Sequence, residues 1–301
     1  MQDFSKNFPI NFESNFESQK LAKAFYIVAT PIGNLSDITL RALEVLRSAD
    51  YIVCEDSRVT AKLLKHYKIS DKKLIIYNDH SGILVREKIL NFLIQGNLIA
   101  LVSDAGTPLI SDPGHKLVEY LRQYNQKIIP LPGASSLTTA LCACGLACDN
   151  FLFLGFFPTT KIAKINLLKS LAKNFTAVFF EAPNRVLSTL EIIEQTLENR
   201  RVAVIKELTK IHEEIISDNI KNLRQFFINN PQKLRGEFVI VIEKSDQKQK
   251  NLSENQLKTE IKKALEAGFS VKELSQNLAE IFDLNKKDIY KIALEIHNSA
   301  T

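Results

Sequence analysis

The chain predicts an α/β fold whose sheets are covered on both faces. Short runs of β-branched and aromatic residues recur as far as Glu243, each followed by a stretch of helix length and helical periodicity. Most runs are continuously apolar rather than alternating, the pattern of strands buried between helix layers. A composition shift near residue 150 divides these elements into two halves, and no strand pattern follows the second.

The elements run as follows. Met1–Lys20 mixes Asn, Glu and Ser with Phe at 4, 8, 12 and 16. It has neither the basic start nor the apolar core of a secretory signal, and residues 1–24 read as a poorly ordered extension. The first half, 25–149, holds strands at Tyr26–Thr30, Tyr51–Cys54, Leu74–Tyr77, Leu98–Val102 and Lys127–Leu131. Between them lie helical stretches such as Ile38–Arg47, where Leu40, Leu43 and Leu46 share one face. The composition shift over Asp149–Phe157 and the breaker Gly155-Phe156-Phe157-Pro158 put a domain boundary near residue 150. The second half, 150–246, holds strands at Phe151–Leu154, Thr176–Phe180, Val202–Lys206 and Phe238–Glu243. Polar Gln247–Asn255 reads as a linker. Residues 253–299 form a small helical segment of three amphipathic helices: Val271, Leu274 and Leu278 share a face, Asp283–Lys287 turns, and Ile289, Ile292 and Leu294 continue. That spacing resembles a helix-turn-helix, which could dock on a nucleic-acid backbone. With 10 Lys against 9 acidic residues from Lys244 to Thr301, a packing or dimer-contact role stands equally open.

Several function classes drop out. The net charge of +5 allows a polyanionic partner without demanding one. No apolar run reaches the roughly 18 residues of a membrane span. Four cysteines make no disulfide framework, so the cytoplasm is the default. No two glycines stand two apart and no Gly-Lys-Ser/Thr occurs, which removes the dinucleotide fingerprint and the phosphate-binding P-loop. Cys142, Cys144 and Cys148 fall on a helical Ala/Leu-rich run and read as small core residues. The histidines show no ligand spacing, so no metal site is expected.

The polar residues gather at strand ends, where α/β sheets bind ligands. These ends carry Thr30–Asn34, Glu55–Arg58, Asp79-His80, Ser103–Pro108, Pro132–Ser136, Glu181 with Arg185, and Glu207 with Thr209 and Lys210. Tyr26–Thr39, Cys54–Arg58, Ser103–Pro108, Ser111–Gly114, Pro130–Ser135, Lys206–Lys210 with His212–Glu214, and Arg235–Glu243 then resemble, in order and without large gaps, one family. It is the bacterial small-subunit ribosomal RNA methyltransferase I family, of the tetrapyrrole-methylase-like superfamily. The chain departs from the family's usual pattern at Ala182 and Asn184 within Glu181–Arg185, at Lys206, and at His80-Ser81-Gly82, which lacks the usual carboxylate.

The resemblance implies two α/β domains with a ligand cleft between them. It implies 2′-O-methylation of a cytidine ribose in the decoding region of small-subunit rRNA, within the assembled subunit, by a cytoplasmic homodimer using S-adenosylmethionine. Pro31, Gly33, Ser103, Asp104, Gly106, Ser135 and Ser136 would contact that cofactor. Small residues allow close backbone approach, and Ser135 and Ser136 open a helix whose free N–H groups can meet polar atoms. A 2′-hydroxyl needs help in losing its proton. Asp56, Arg58, Glu181, Glu207 and Lys210 are the candidates, with Lys210 or Asp56 assisting and Arg58 holding a phosphate; an ion pair between the domains is the other reading of these charges. Two alternatives stay open: a tetrapyrrole C-methyltransferase, which Glu55–Arg58 and Glu207–Lys210 argue against, and a ribosome-binding factor without catalysis.

Overall fold

The computed structural model describes residues 21–78, 80–171, 175–197, 199–245, 254–266, 268–282 and 285–300. Most of the expected N-terminal extension, Asp79, most of the expected linker and Asp283-Leu284 of the expected turn lie outside these residues. By their contacts the described residues form two compact units. One reaches Ser170, resumes at Thr176, ends at Glu243 and holds two sheets; the other gathers the C-terminal helices.

The first sheet contains β1 (Phe25–Val28), β2 (Tyr51–Cys54), β3 (Lys73–Ile76), β4 (Ile99–Val102) and β5 (Ile128–Leu131). It is wholly parallel, in the order β3-β2-β4-β1-β5. Successive side chains on a strand face opposite ways, and here the faces divide cleanly. Tyr26, Val28, Ile52, Cys54, Ala100 and Val102 share a core with α1 (Leu40–Ser48) and α2 (Ser57–His66). Phe25, Val53, Ile99 and Leu101 share another with α3 (Ile83–Ile94) and α4 (His115–Gln123). Helix α1 is started by Thr39, whose hydroxyl accepts the N–H of Ala42 at 3.1 Å.

The helix α5 (Ser136–Ala143) leads into the second sheet, order β6-β7-β10-β8-β9. Its strands are β6 (Phe151–Phe156), β7 (Thr176–Glu181), β8 (Arg201–Lys206), β9 (Glu214–Asn219) and β10 (Phe238–Ile242). Only β6 and β7 are parallel; the other pairings are antiparallel. Val178, Ala203, Ile205, Val239 and Val241 pack on one face with Ala140 of α5. The alternate residues Phe179, Val202, Val204 and Ile240 are also fully buried. The helices of this half are α6 (Lys161–Ser170), α7 (Val186–Thr196) and α8 (Ile220–Asn229), which touch in series.

Three details differ from the sequence reading. Strand β6 does not stop at Gly155; it passes through with a register shift between Phe153 and Phe156, Gly155 taking φ +63. Strand β9 was not expected, because Glu214, Ser217 and Asp218 interrupt its apolar pattern on an edge. Of the three clustered cysteines only Cys144 is buried; α5 ends at Ala143, leaving Cys142 exposed and Cys148 beyond the helix.

The second unit is α9 (Glu254–Glu266), α10 (Val271–Phe282) and α11 (Lys286–Ala300). Leu257, Ile261, Leu274, Leu278, Ile289 and Ala293 form its core. Leu294 is exposed instead of buried, since it falls five residues after Ile289 and off the 289–292–296 stripe. Lys286 and Lys287 belong to α11 rather than to the turn, and Asn285 caps that helix by accepting the N–H of Lys287 at 2.9 Å. Helix α10 opens with a capping box: the Ser270 hydroxyl accepts the Glu273 N–H at 3.3 Å, and the Glu273 carboxylate accepts the Ser270 N–H at 3.2 Å.

Candidate active site

The C-terminal ends of β1 and β4 are tied together just past the sheet. Thr30 and Gly106 form an isolated bridge, each N–H donating to the other's carbonyl at 2.8 and 2.9 Å. The Ser103 hydroxyl points inward and donates to the carbonyls of Ala105 and Gly106, both at 3.3 Å. Thr107 reaches across to the Ala134 carbonyl at 3.0 Å, joining this loop to the one after β5. The end of β2 joins as well, the Asp56 N–H donating to the Asp104 carboxylate at 3.2 Å. In the loops that border this region, Leu109, Ser111, Glu207 and Thr209 have backbone in the left-handed region. Such non-glycine outliers cost free energy and collect at functional sites.

Facing these loops is the second sheet, and between them lies a cleft of about 430 Å³. Asp104, Ala105, Ser111, Asp112 and Ser136 line one side; Phe156, Phe180, Ile205, Phe238 and Val239 line the other, with buried Glu181 among them and exposed Glu237 at its edge. Burial pushes the Asp112 carboxyl above its ordinary value, the Ser103 hydrogen bond works the other way, and the negative charge of Asp104 adds to the rise. An acid-rich wall opposite an aromatic one suits a ligand with a cationic centre and a flat apolar part.

The loop between β8 and β9 closes one end. Lys210 Nζ donates to Glu207 and to Glu237, each at 2.9 Å. Burial lowers the Lys210 pKa, but these two carboxylates outweigh it and the net shift is upward; Lys210 is a cation. The same hydrogen bond draws Glu207 below its ordinary value. Gly33 lies against this loop: a Cβ there would stand 2.5 Å from Lys210 Cγ and 2.7 Å from Thr209 Oγ1. The Asn34 N–H donates to the Thr209 hydroxyl at 3.0 Å.

Sequence comparison then fixes the lineage. The profile of the family described as Tetrapyrrole (Corrin/Porphyrin) Methylases matches residues 24–224. The chain belongs to the tetrapyrrole methylase family. This methylase is 42% identical to ribosomal RNA small subunit methyltransferase I of Pasteurella multocida (strain Pm70) over 281 residues, 92% of this chain and 99% of that one. It is also 42% identical to the protein of that name from Rickettsia prowazekii (strain Madrid E), over 90% of this chain and 94% of that one. Two solved structures share its fold: diphthine synthase, with a TM-score of 0.57 at 13% identity over 73% of this chain and 90% of that one, and the methyltransferase CobJ, with 0.53 at 17% over 73% and 94%. The methyl donor of the family is S-adenosylmethionine.

Of the residues expected to meet the cofactor, Asp104 and Ser136 line the cleft of the methylase. Ser103 and Gly106 are buried and build the loop that carries Asp104. Pro31 is buried beside them, and Gly33 seats the β8–β9 loop. Ser135 is the N-cap of α5 and makes no capping bond with its side chain. Asp56 caps α2, accepting the Arg58 N–H at 2.8 Å, and its carboxylate also grips the Arg58 guanidinium at 2.6 Å. Those bonds hold its pKa at about 2. Arg58 otherwise projects into solvent, and Lys210 joins carboxylates within the second half rather than across the two halves. Glu181 is fully buried, bonded to Thr189 Oγ1 at 2.6 Å, to Arg185 at 2.6 Å and to Lys164. Sequence reasoning passed over Asp112, Phe156, Phe180 and Glu237. Asp112 had a signal, the Ser111–Gly114 motif; the aromatic pair had only strand character.

Proposed function

We propose that the chain transfers a methyl group from S-adenosylmethionine to the ribose 2′-hydroxyl of a cytidine in the decoding region of small-subunit rRNA. The observation that carries this reading is the cleft with its acidic and aromatic walls. When bound, S-adenosylmethionine supplies an electrophilic methyl group on a positively charged sulfur. Asp104 and Asp112 would hold its cationic part, and a cation there relieves the repulsion between the two carboxylates. Phe156, Phe180 and Val239 would face its flat apolar part, and Ser136 offers a hydroxyl at the start of α5.

Lys210 is the group suited to the developing alkoxide. It stays protonated at neutral pH, is fixed by two carboxylates and stands at the cleft edge through Glu237. A fixed cation of this kind acts where charge appears in the transition state. Asp56 serves instead as cap and ion-pair partner, and Arg58 is free at its outer face to hold a phosphate. The two sheets act as two domains, 25–149 and 150–246, with 253–299 as a third piece. The assembled small subunit is the substrate and the cytoplasm the place of action. A homodimer is the working form, supported by the exposed apolar residues Phe151 and Leu152 on edge strand β6.

The test uses methyl-labelled S-adenosylmethionine with unmethylated small subunits, free small-subunit rRNA and an unmethylated tetrapyrrole precursor in separate reactions. Label on a cytidine ribose, located by nuclease digestion and mass spectrometry, is the expected result. Label on the tetrapyrrole would overturn the substrate. Cofactor binding with no transfer would leave a binding factor.

A further inference from the structure

The loop between β8 and β9 carries the most exposed large apolar side chain among the described residues, Ile211, at 97%. Single exposed apolar residues are ordinary, but this one is held out by a rigid frame. Glu207 and Thr209 take φ of +52 and +64, and a β-branched residue in that region is a true outlier. The Thr209 N–H donates to the Glu213 carboxylate at 2.6 Å, and the Glu213 N–H to the Lys210 carbonyl at 3.1 Å. Lys210 Nζ braces the loop from below, and Gly33 and Asn34 seat it from the side. The loop starts at the cleft, which Leu208 lines. Exposed His212 and Arg235 line a hollow beside the loop together with Glu207, Glu213, Glu214 and Lys233, and neither His212 nor Arg235 makes an ion pair among the described residues.

We propose that Ile211 is a wedge that enters the base stack of the substrate RNA beside the nucleotide to be methylated, with His212 and Arg235 toward the flanking phosphates. This rests on the reading of the chain as an RNA methyltransferase. A nucleotide enters a closed cleft only after leaving its stack, and apolar side chains fill the gap left in nucleic acids opened this way. A tip already fixed by strained backbone and buttressing carboxylates loses little freedom on insertion. The Arg235 guanidinium beside it supplies electrostatic attraction to phosphate.

The experiment compares the full-length protein with Ile211→Ala, Ile211→Asp and Ile211→Leu, using labelled S-adenosylmethionine and unmethylated small subunits. The Ala and Asp variants should raise KM for the subunit about tenfold or more, as loss of a buried aliphatic contact does. Ile211→Leu should stay near wild type, and KM for S-adenosylmethionine should be unchanged in all three. Subunit KM within twofold of wild type in the Ala and Asp variants overturns the wedge while leaving the RNA reading intact. No label on RNA from the wild-type protein removes the RNA reading and the wedge together. Raised KM on subunits with unchanged equilibrium binding of protein-free rRNA overturns the wedge in favour of a ribosomal-protein contact.

Discussion

At Asp56 one carboxylate accepts the Arg58 N–H in the first turn of α2 and the Arg58 guanidinium, and its pKa falls to about 2. A general base works best when its pKa lies near the operating pH. Asp56→Asn keeps an equally good cap, so turnover at pH 7 should remain within about fivefold of wild type; a hundredfold loss with normal cofactor affinity would return Asp56 to the chemistry. Because the folded value is depressed, the capping contribution is complete above the ordinary carboxylate range and fades as pH falls toward 2. Lys210 behaves in the opposite sense. Its value is raised, so its ion pairs persist through neutral pH and are lost only as pH climbs past the ordinary 10.5. Lys210→Met should lower kcat about a hundredfold or more and leave cofactor affinity unchanged, as read by single-turnover kinetics and equilibrium binding. Gly33→Ala would force a Cβ into Lys210 and Thr209, with a stability loss of about 1–3 kcal/mol by thermal unfolding. Motif spacing made the loops legible here, but not the direction of each side chain. Ser103 and Asp104 are neighbours in one motif, yet one turns in to hold the loop and the other faces the cleft.

Among the elements, α6 and β7 share the most deeply buried ion pair among the described residues. Lys164 on α6 is buried against Glu181 at the end of β7, with Thr189 and Arg185 closing the group. Burial pulls the Lys164 pKa below its ordinary value, and Glu181 offsets this only in part. Lys164→Met would leave that carboxylate with fewer partners, and a loss of about 3 kcal/mol is expected in denaturant unfolding. The sequence gives no hint of this burial, because Lys-Ile-Ala-Lys-Ile reads as an ordinary helix face with solvated lysines. The four-residue strands Tyr51–Cys54 and Ile99–Val102 were legible since both are wholly apolar. Strand β9 was not, because its inward residues are outnumbered by polar ones, and pairing with β8 rather than composition defines it. Gly155 misled for a related reason: a bulge and a break look alike in one dimension.

For the molecule as a whole, the cleft draws its acidic wall from one half of the chain and its aromatic wall from the other. The demethylated product of S-adenosylmethionine lacks the sulfonium charge, so the acidic wall should favour donor over product. Asp112→Asn should narrow that preference by weakening donor affinity more than product affinity, measured by calorimetry for both ligands. Saturating donor should also raise the unfolding temperature; at a hundredfold excess over Kd the gain is about 2.7 kcal/mol. The α/β class could be read from the apolar runs. The antiparallel pairing in the second sheet could not, since partner choice depends on contacts far apart in sequence.

The strand orders have a consequence for a chain emerging from the ribosome. Both neighbours of β1, namely β4 and β5, are translated after it, and β4 begins only at Ile99. At about 5–20 residues per second, β1 waits on the order of seconds with both edges unpaired, while β2 and β3 form the first pair available. The second sheet repeats the situation: its central strand, β10, is the last of the ten to be made. Each sheet therefore takes a late strand into an internal slot, β4 between β2 and β1 and β10 between β7 and β8, and nascent chains stalled before Ile99 or before Phe238 should bind chaperones more strongly than chains stalled just beyond those strands.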